Sequence, residues 1–141
     1  LMGMLIDFDG TVVTHDFPLV GKDIGSVPVL KRLVDNGHRL ILFTMRSDVE
    51  NPISNDVDIV SIPGQYLTEA VNWFKDNGIA LYGIQVNPEQ HTWTTSPKAY
   101  GQLIIDDTSL GIPLRFDAEI SNRWYVCWES VAKILERMKL I

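Results

Sequence analysis

A chain of 141 residues with 45% hydrophobic content has the size of one ordinary globular domain, able to bury about two-thirds of the surface its unfolded form exposes. Its formal net charge of −6 is spread along the chain, so no basic arm or patch offers itself to nucleic acid or to a membrane surface. A lone Cys127 excludes an internal disulfide, and no stretch reads as a membrane span or a secretory leader, so a soluble cytoplasmic protein of one domain, residues 1–141, is expected.

Taken in order, apolar runs of strand length alternate with helical patterns, and Gly, Pro and Asn punctuate the joins. Residues 1–3 are set aside as having no bearing on function. A first strand is predicted at Met4–Phe8, and Val27–Asn36 carries Val29, Leu30, Leu33 and Val34 at helical spacing, with Gly37 placed to cap it. A second strand follows at Arg39–Phe43. Tyr66–Asn77 repeats the helical pattern with Leu67, Ala70, Val71 and Phe74, closed by Gly78. Further strands are predicted at Leu81–Val86, Gln102–Ile105 and Trp124–Val126, and a last helix at Glu129–Lys139 presents Val131, Ile134, Leu135 and Met138. Such alternation implies an α/β fold, a doubly wound, three-layer, Rossmann-like parallel sheet with helices on both faces. Open sheets of this kind hold ligands beyond the carboxyl ends of their strands, and three of the four irregular stretches (10–26, 44–64, 87–97 and 108–122) follow such ends.

Four carboxylates stand at two of those ends. Asp7 and Asp9 flank Phe8 behind the first strand, and Asp106 with Asp107 closes the fourth behind the run Leu103–Ile105. If the two strands are neighbours, the carboxylates share one crevice, where mutual repulsion demands protonation or a counter-ion. A hard divalent cation with oxygen ligands, Mg²⁺ above all, meets that demand and can also orient a phosphate for in-line attack.

Four segments, "DFDGT" at 7–11, "LFTMR" at 42–46, Lys98 in "SPKAYG" and "IIDD" at 104–107, resemble the four motifs of the haloacid dehalogenase superfamily, in that order and over residues 4 to 113. The resemblance implies a strand order 3-2-1-4-5. It implies that Asp7 is a nucleophile forming an aspartyl phosphate and that Asp9 is the general acid and base, an acid that dehalogenating members lack. It gives Thr44 a hydrogen bond to a phosphoryl oxygen and Lys98 the screening of Asp7 and the phosphate. Asp106 becomes a metal ligand, Asp107 a second ligand or a holder of water, and the Asp9 carbonyl completes the set. Residues 10–43 and 87–97 leave no room for a cap domain, as in a small group of capless, uncharacterised bacterial and phage hydrolases that the chain also resembles. An open crevice suits a large phosphorylated substrate, or an oligomer in which a neighbouring copy closes the site. The stretch 47–65 reads as an insertion able to overhang the site.

Each residue also has a plainer reading. Asp7 and Asp9 could be turn residues beside Gly10, Asp107 could cap the segment from Thr108, Lys98 could be a solvated surface lysine, and Thr44 could simply end a strand. Arg46 suits a second phosphate or a structural ion pair equally well. His15 reads as an exposed histidine of the flap, while His38 and His91 lack partners for a zinc site. Trp93 fits packing under its loop better than stacking on a substrate, and Trp73, Phe74, Trp124 and Trp128 read as core. The expected activity is therefore Mg²⁺-dependent phosphomonoester hydrolysis. A metal- and phosphate-binding module without turnover, or a phosphotransferase, remains as an alternative, a dinucleotide site is excluded by the absence of G-x-G-x-x-G, and net acidity weighs against a nucleic-acid substrate.

Overall fold

The computed structural model describes residues 1–51 and 62–141. In chain order its elements are β1 (Gly3–Ile6), α1 (Ser26–Asp35), β2 (Arg39–Leu42), β3 (Asp48–Val49), β4 (Gly64–Gln65), α2 (Tyr66–Asp76), β5 (Gly83–Ile84), a 3-10 turn (Gln90–Thr92), β6 (Leu103–Ile105), β7 (Leu114–Arg115), β8 (Tyr125–Val126) and α3 (Trp128–Arg137). Four of them build a parallel sheet in the order β5-β2-β1-β6. This is a Rossmann-like α/β arrangement, and the order of these four is the predicted 3-2-1-4.

The fifth predicted strand departs from that scheme. Tyr125–Val126 pairs antiparallel with Leu114–Arg115 to make a separate two-stranded ladder, and Val126 N–H donates to the Gly10 carbonyl at 3.0 Å instead of extending the sheet beyond β6. The third predicted strand is also shorter than expected, because Gln85 turns left-handed at φ 65° and ends the extended run.

Alternation along the strands sends Met4, Ile6, Leu40 and Leu42 into one core together with Val29, Leu30 and Leu33 of α1, Ala70 and Phe74 of α2, and Val131 and Leu135 of α3. Full burial of each of these side chains other than Ala70 contributes roughly 1.5–3 kcal/mol. Leu5 and Ile41 point to the other face, where they pack on Ala99 and Tyr82. That third layer comes from the chain around 82–101 and its 3-10 turn, whereas a doubly wound sheet was expected to carry helices on both faces.

The helix ends follow their sequence signals. Gly37 and Gly78, both at positive φ, close α1 and α2 with paired bonds, Gly37 N–H to Val34 and His38 N–H to Leu33 in the first, Gly78 N–H to Lys75 and Ile79 N–H to Phe74 in the second. Lys139 takes the same left-handed position after α3, which is why that helix stops short of its predicted end. His38 is a satisfied core histidine: its Nδ1 accepts from Met2 N–H at 3.1 Å and its Nε2 lies 3.0 Å from the Leu140 carbonyl. Gly3, set aside above, opens β1 and donates to Gln102 Oε1.

Of the stretch 47–65, the described ends pair as β3 and β4, and Asp48 caps α2 through Thr68 N–H and Oγ1. The predicted overhang falls mostly on 52–61, outside the described residues. No helix among the described residues is long and apolar enough to cross a membrane.

Candidate active site

Register brings the carboxylates together. Ile6 pairs with both Leu42 and Ile105, so the chain leaves β1, β2 and β6 at the same edge of the sheet. Asp7 N–H still donates to the Ile105 carbonyl at 3.0 Å, and there the two strands part. Asp7, Asp106 and Asp107 consequently each offer an oxygen within 4.8 Å of the others.

Thr11 ties this cluster down. The chain folds back after Asp9, with Thr11 and Val12 N–H both donating to the Phe8 carbonyl, and the Thr11 side chain is fully buried as a result. Its hydroxyl lies 2.7 Å from Asp7 Oδ2 and 3.3 Å from Asp107 Oδ1, and it accepts from Asp107 N–H at 3.0 Å. Trp128 Nε1 fixes the turn from behind by donating to the Thr11 carbonyl at 2.7 Å. Gly10, at φ 78°, is required here, since a Cβ would stand 2.5 Å from Asp107 Oδ2.

Burial raises the Asp7 carboxyl to about 7, with Asp106 and Asp107 adding repulsion and the Thr11 hydrogen bond opposing the rise. Burial pushes Asp107 up as well. Asp106 is the residue that caps the following turn, a role the sequence suggested for Asp107: its Oδ1 accepts from Thr108 N–H at 2.8 Å and from Thr108 Oγ1 at 2.7 Å.

Asp9 stands apart from the cluster. Arg46 Nε and Nη2 donate to its two carboxylate oxygens, each at 2.8 Å. The guanidinium also donates to the Leu19 and Tyr66 carbonyls and lies over the rings of Phe8 and Phe17. Arg46 is 2% exposed, and four of its five guanidinium N–H groups are committed to the protein. The structural ion pair is thus the reading the geometry favours, and a direct contact of Arg46 with substrate is not.

Thr44 lies where the sequence placed it, at the carboxyl end of β2. Its hydroxyl oxygen accepts from Arg46 N–H at 3.1 Å, which leaves the hydroxyl proton available. Gln85 was missed by sequence reasoning. Its side-chain amide accepts from Thr44 N–H and donates to the Thr44 and Arg46 carbonyls, clamping the loop that carries both residues.

Lys98 is not brought to the site. The Gln90 amide donates to the Ser96 and Lys98 carbonyls, Ala99 packs on the face of the sheet that carries Leu5 and Ile41, and the Lys98 side chain is exposed and does not line the cavity beside the cluster. It forms no ion pair with Asp7, Asp9, Asp106 or Asp107. Two tryptophans also differ from expectation. Trp93 is exposed and stacks edge-on against Tyr100, and Trp124 is exposed beside Phe116.

The acidic cluster opens into a cavity of about 430 Å³, lined also by Thr44, Met45 and Arg46, by Thr108 next to the cluster, by His15 and by Arg123 from a segment distant in sequence. Asp9 and Phe17 also face it. All donors of the cluster are carboxylate oxygens, without nitrogen or sulfur, a set that fits a hard divalent cation and disfavours zinc or copper.

Fold and cluster define an α/β protein with an acidic pocket at the carboxyl ends of its parallel strands. No protein-family model matches the chain, and no curated protein does. Its structure is similar to that of a conserved protein coded by a locus from Bacteroides thetaiotaomicron, with 30% sequence identity, a TM-score of 0.69, and coverage of 97% of this chain and 91% of that one. At that identity and coverage, the chain belongs to the family of the Bacteroides protein.

Proposed function

We propose that the chain is a Mg²⁺-dependent phosphomonoester hydrolase of haloacid dehalogenase type, working through an aspartyl phosphate on Asp7. The observation that carries the reading is the convergence of Asp7, Asp106 and Asp107 on one cavity, with Asp7 driven upward by burial among like charges. Such a cluster is costly unless it holds a cation, and a carboxylate so placed is of use to phosphoryl chemistry. Mg²⁺ held by the three carboxylates and the Asp9 carbonyl would neutralise phosphoryl charge and keep the phosphorus in place.

The chain's own residues supply the remaining parts. Thr11 holds Asp7 Oδ2, which fixes the carboxylate plane for attack on phosphorus. The bond from Asp7 to phosphorus forms as the ester oxygen leaves, and water later releases the phosphate. Thr44 donates its free hydroxyl proton to a phosphoryl oxygen. Asp9 first releases one of its two bonds to Arg46 and takes up a proton from solvent, then gives that proton to the leaving oxygen, and as the carboxylate so regenerated it takes a proton from the attacking water.

That same ion pair favours the second reading. With both Asp9 oxygens engaged, the pocket can take a metal and a phosphate group without turnover, as a binding module. Hydrolysis of a generic aryl phosphate with and without Mg²⁺, wild type beside Asp7→Asn, decides between the two. Metal-dependent turnover lost in the variant supports the phosphatase. Mg²⁺ binding without turnover, on a panel of aryl, sugar and nucleotide monophosphates, supports the module, and turnover retained in Asp7→Asn overturns Asp7 as nucleophile.

A further inference from the structure

Accepting a phosphomonoester in this pocket, as the reading above requires, leaves a charge unaccounted for. Asp7, Asp106 and Asp107 carry three negative charges when ionised, and a divalent cation offsets two. Asp9 and Arg46 cancel each other, and four of the five guanidinium N–H groups are spent on Asp9 and two backbone carbonyls, with the Glu69 carboxylate 3.9 Å from Nη1. A dianionic phosphoryl group entering a net-negative pocket needs a further cation with free donors. Lys98 does not line the cavity.

Arg123 does. It reaches the cavity from the segment before β8, some hundred positions along the chain from Asp7, on a turn held by Arg123 N–H donating to Ser121 Oγ. Among the described residues it makes no ion pair with any carboxylate. Its one side-chain hydrogen bond among the described residues is with His15, where Nη1 stands 3.3 Å from Nδ1. A guanidinium only donates, so His15 Nδ1 accepts and the ring proton sits on Nε2. His15, on the flap after β1, therefore steadies Arg123 without neutralising it, and most of the guanidinium fork stays free for a planar pair of phosphoryl oxygens.

We propose that Arg123, carried by the segment before β8 and steadied by His15, is the phosphate-binding cation of this pocket in place of Lys98. As an exposed cation on the cavity lining it takes the phosphoryl oxygens of the incoming monoester.

Titration of inorganic phosphate into the Mg²⁺-loaded protein, read by calorimetry, tests this without relying on turnover. Arg123→Ala and Arg123→Gln, both at an exposed position, are expected to weaken phosphate binding tenfold or more, with Arg123→Lys recovering part of the loss. Lys98→Ala is expected to change the dissociation constant less than twofold. Unchanged binding in Arg123→Ala, or a loss confined to Lys98→Ala, overturns the assignment. Steady-state kinetics on an aryl phosphate keep the two claims separate. If wild type turns over, Asp7→Asn does not, and Arg123→Ala leaves KM unaltered, Arg123 is wrong and the phosphatase stands. If the wild type binds Mg²⁺ but neither phosphate nor ester, both fall.

Discussion

Arg46 and Asp9 form a two-pronged ion pair, Nε to Oδ2 and Nη2 to Oδ1 at 2.8 Å each, with side chains only 1% and 13% exposed. Removing one member of such a pair leaves the other charge buried without its partner, a loss of about 3–5 kcal/mol. Arg46→Ala is therefore expected to lower the unfolding free energy from denaturant melts by that much, and Asp9→Asn by less, since the amide still accepts a hydrogen bond. A double-mutant cycle with Arg46→Met should show strong coupling between the two positions. Additive effects in that cycle would mean that the pair contributes to neither stability nor the position of Asp9.

The acidic cluster makes stability depend on pH in a direction opposite to the usual carboxylate. An Asp7 carboxyl raised from 3.8 to about 7 in the folded protein makes its full contribution to stability below the unfolded value and loses it as pH climbs through about 7. Asp107 is shifted the same way. The metal-free protein should thus melt at a lower temperature at pH 8 than at pH 5.5. Mg²⁺ binding the ionised cluster should raise the melting temperature more at pH 8 than at pH 5.5. Thermal scans in EDTA and in Mg²⁺ at both pH values read this out, and an equal Mg²⁺ increment at the two would count against the cluster as the metal site.

Gly10 and Gly111 give a matched pair of substitutions. Both sit at positive φ, at 78° and 90°, but an added Cβ at Gly111 meets nothing within 4 Å whereas at Gly10 it stands 2.5 Å from Asp107 Oδ2. Gly111→Ala should cost only the left-handed penalty of roughly 1–2 kcal/mol and leave Mg²⁺ affinity unchanged. Gly10→Ala should cost more and weaken Mg²⁺ binding at least tenfold, because Asp107 must move. Calorimetric titration of Mg²⁺ into both variants checks this, and equal affinities would remove Asp107 from the ligand set.

How much of this was legible in the sequence depends on range. Asp7, Asp106 and Asp107 could be placed because each ends an apolar run, and strand ends are local features. Gly37 and Gly78 announced their helix caps for the same reason. Arg46 was visible as a residue but not as the partner of Asp9, since that bond joins two loops whose meeting is decided by how the sheet is assembled. The stretch 124–126 misled in two ways: its apolar residues read as a fifth sheet strand with Trp124 in the core, but Tyr125–Val126 pairs with Leu114–Arg115 and Trp124 is exposed. Lys98 drew its phosphate-screening role from the family resemblance alone, and the loop geometry in which Gln90 bonds the Ser96 and Lys98 carbonyls, with the Lys98 side chain exposed and off the cavity lining, has no sequence signature.

Gln85 holds the loop of Thr44 and Arg46 through three hydrogen bonds of 2.6 to 3.1 Å while its own backbone sits at φ 65°. Side chain and backbone pull in opposite directions here, so two variants separate them. Gln85→Ala keeps the left-handed cost and loses the clamp, with an expected destabilisation of about 1–3 kcal/mol from the backbone groups left unpaired. Gln85→Gly loses the clamp but relieves the backbone, and should recover about 1 kcal/mol of that loss. Neither recovers the placement of Thr44, so both should lower kcat for an aryl phosphate by a similar factor, on the order of tenfold, whatever their stability. If kcat followed stability and Gln85→Gly regained activity, Gln85 would matter for folding alone and not for positioning Thr44.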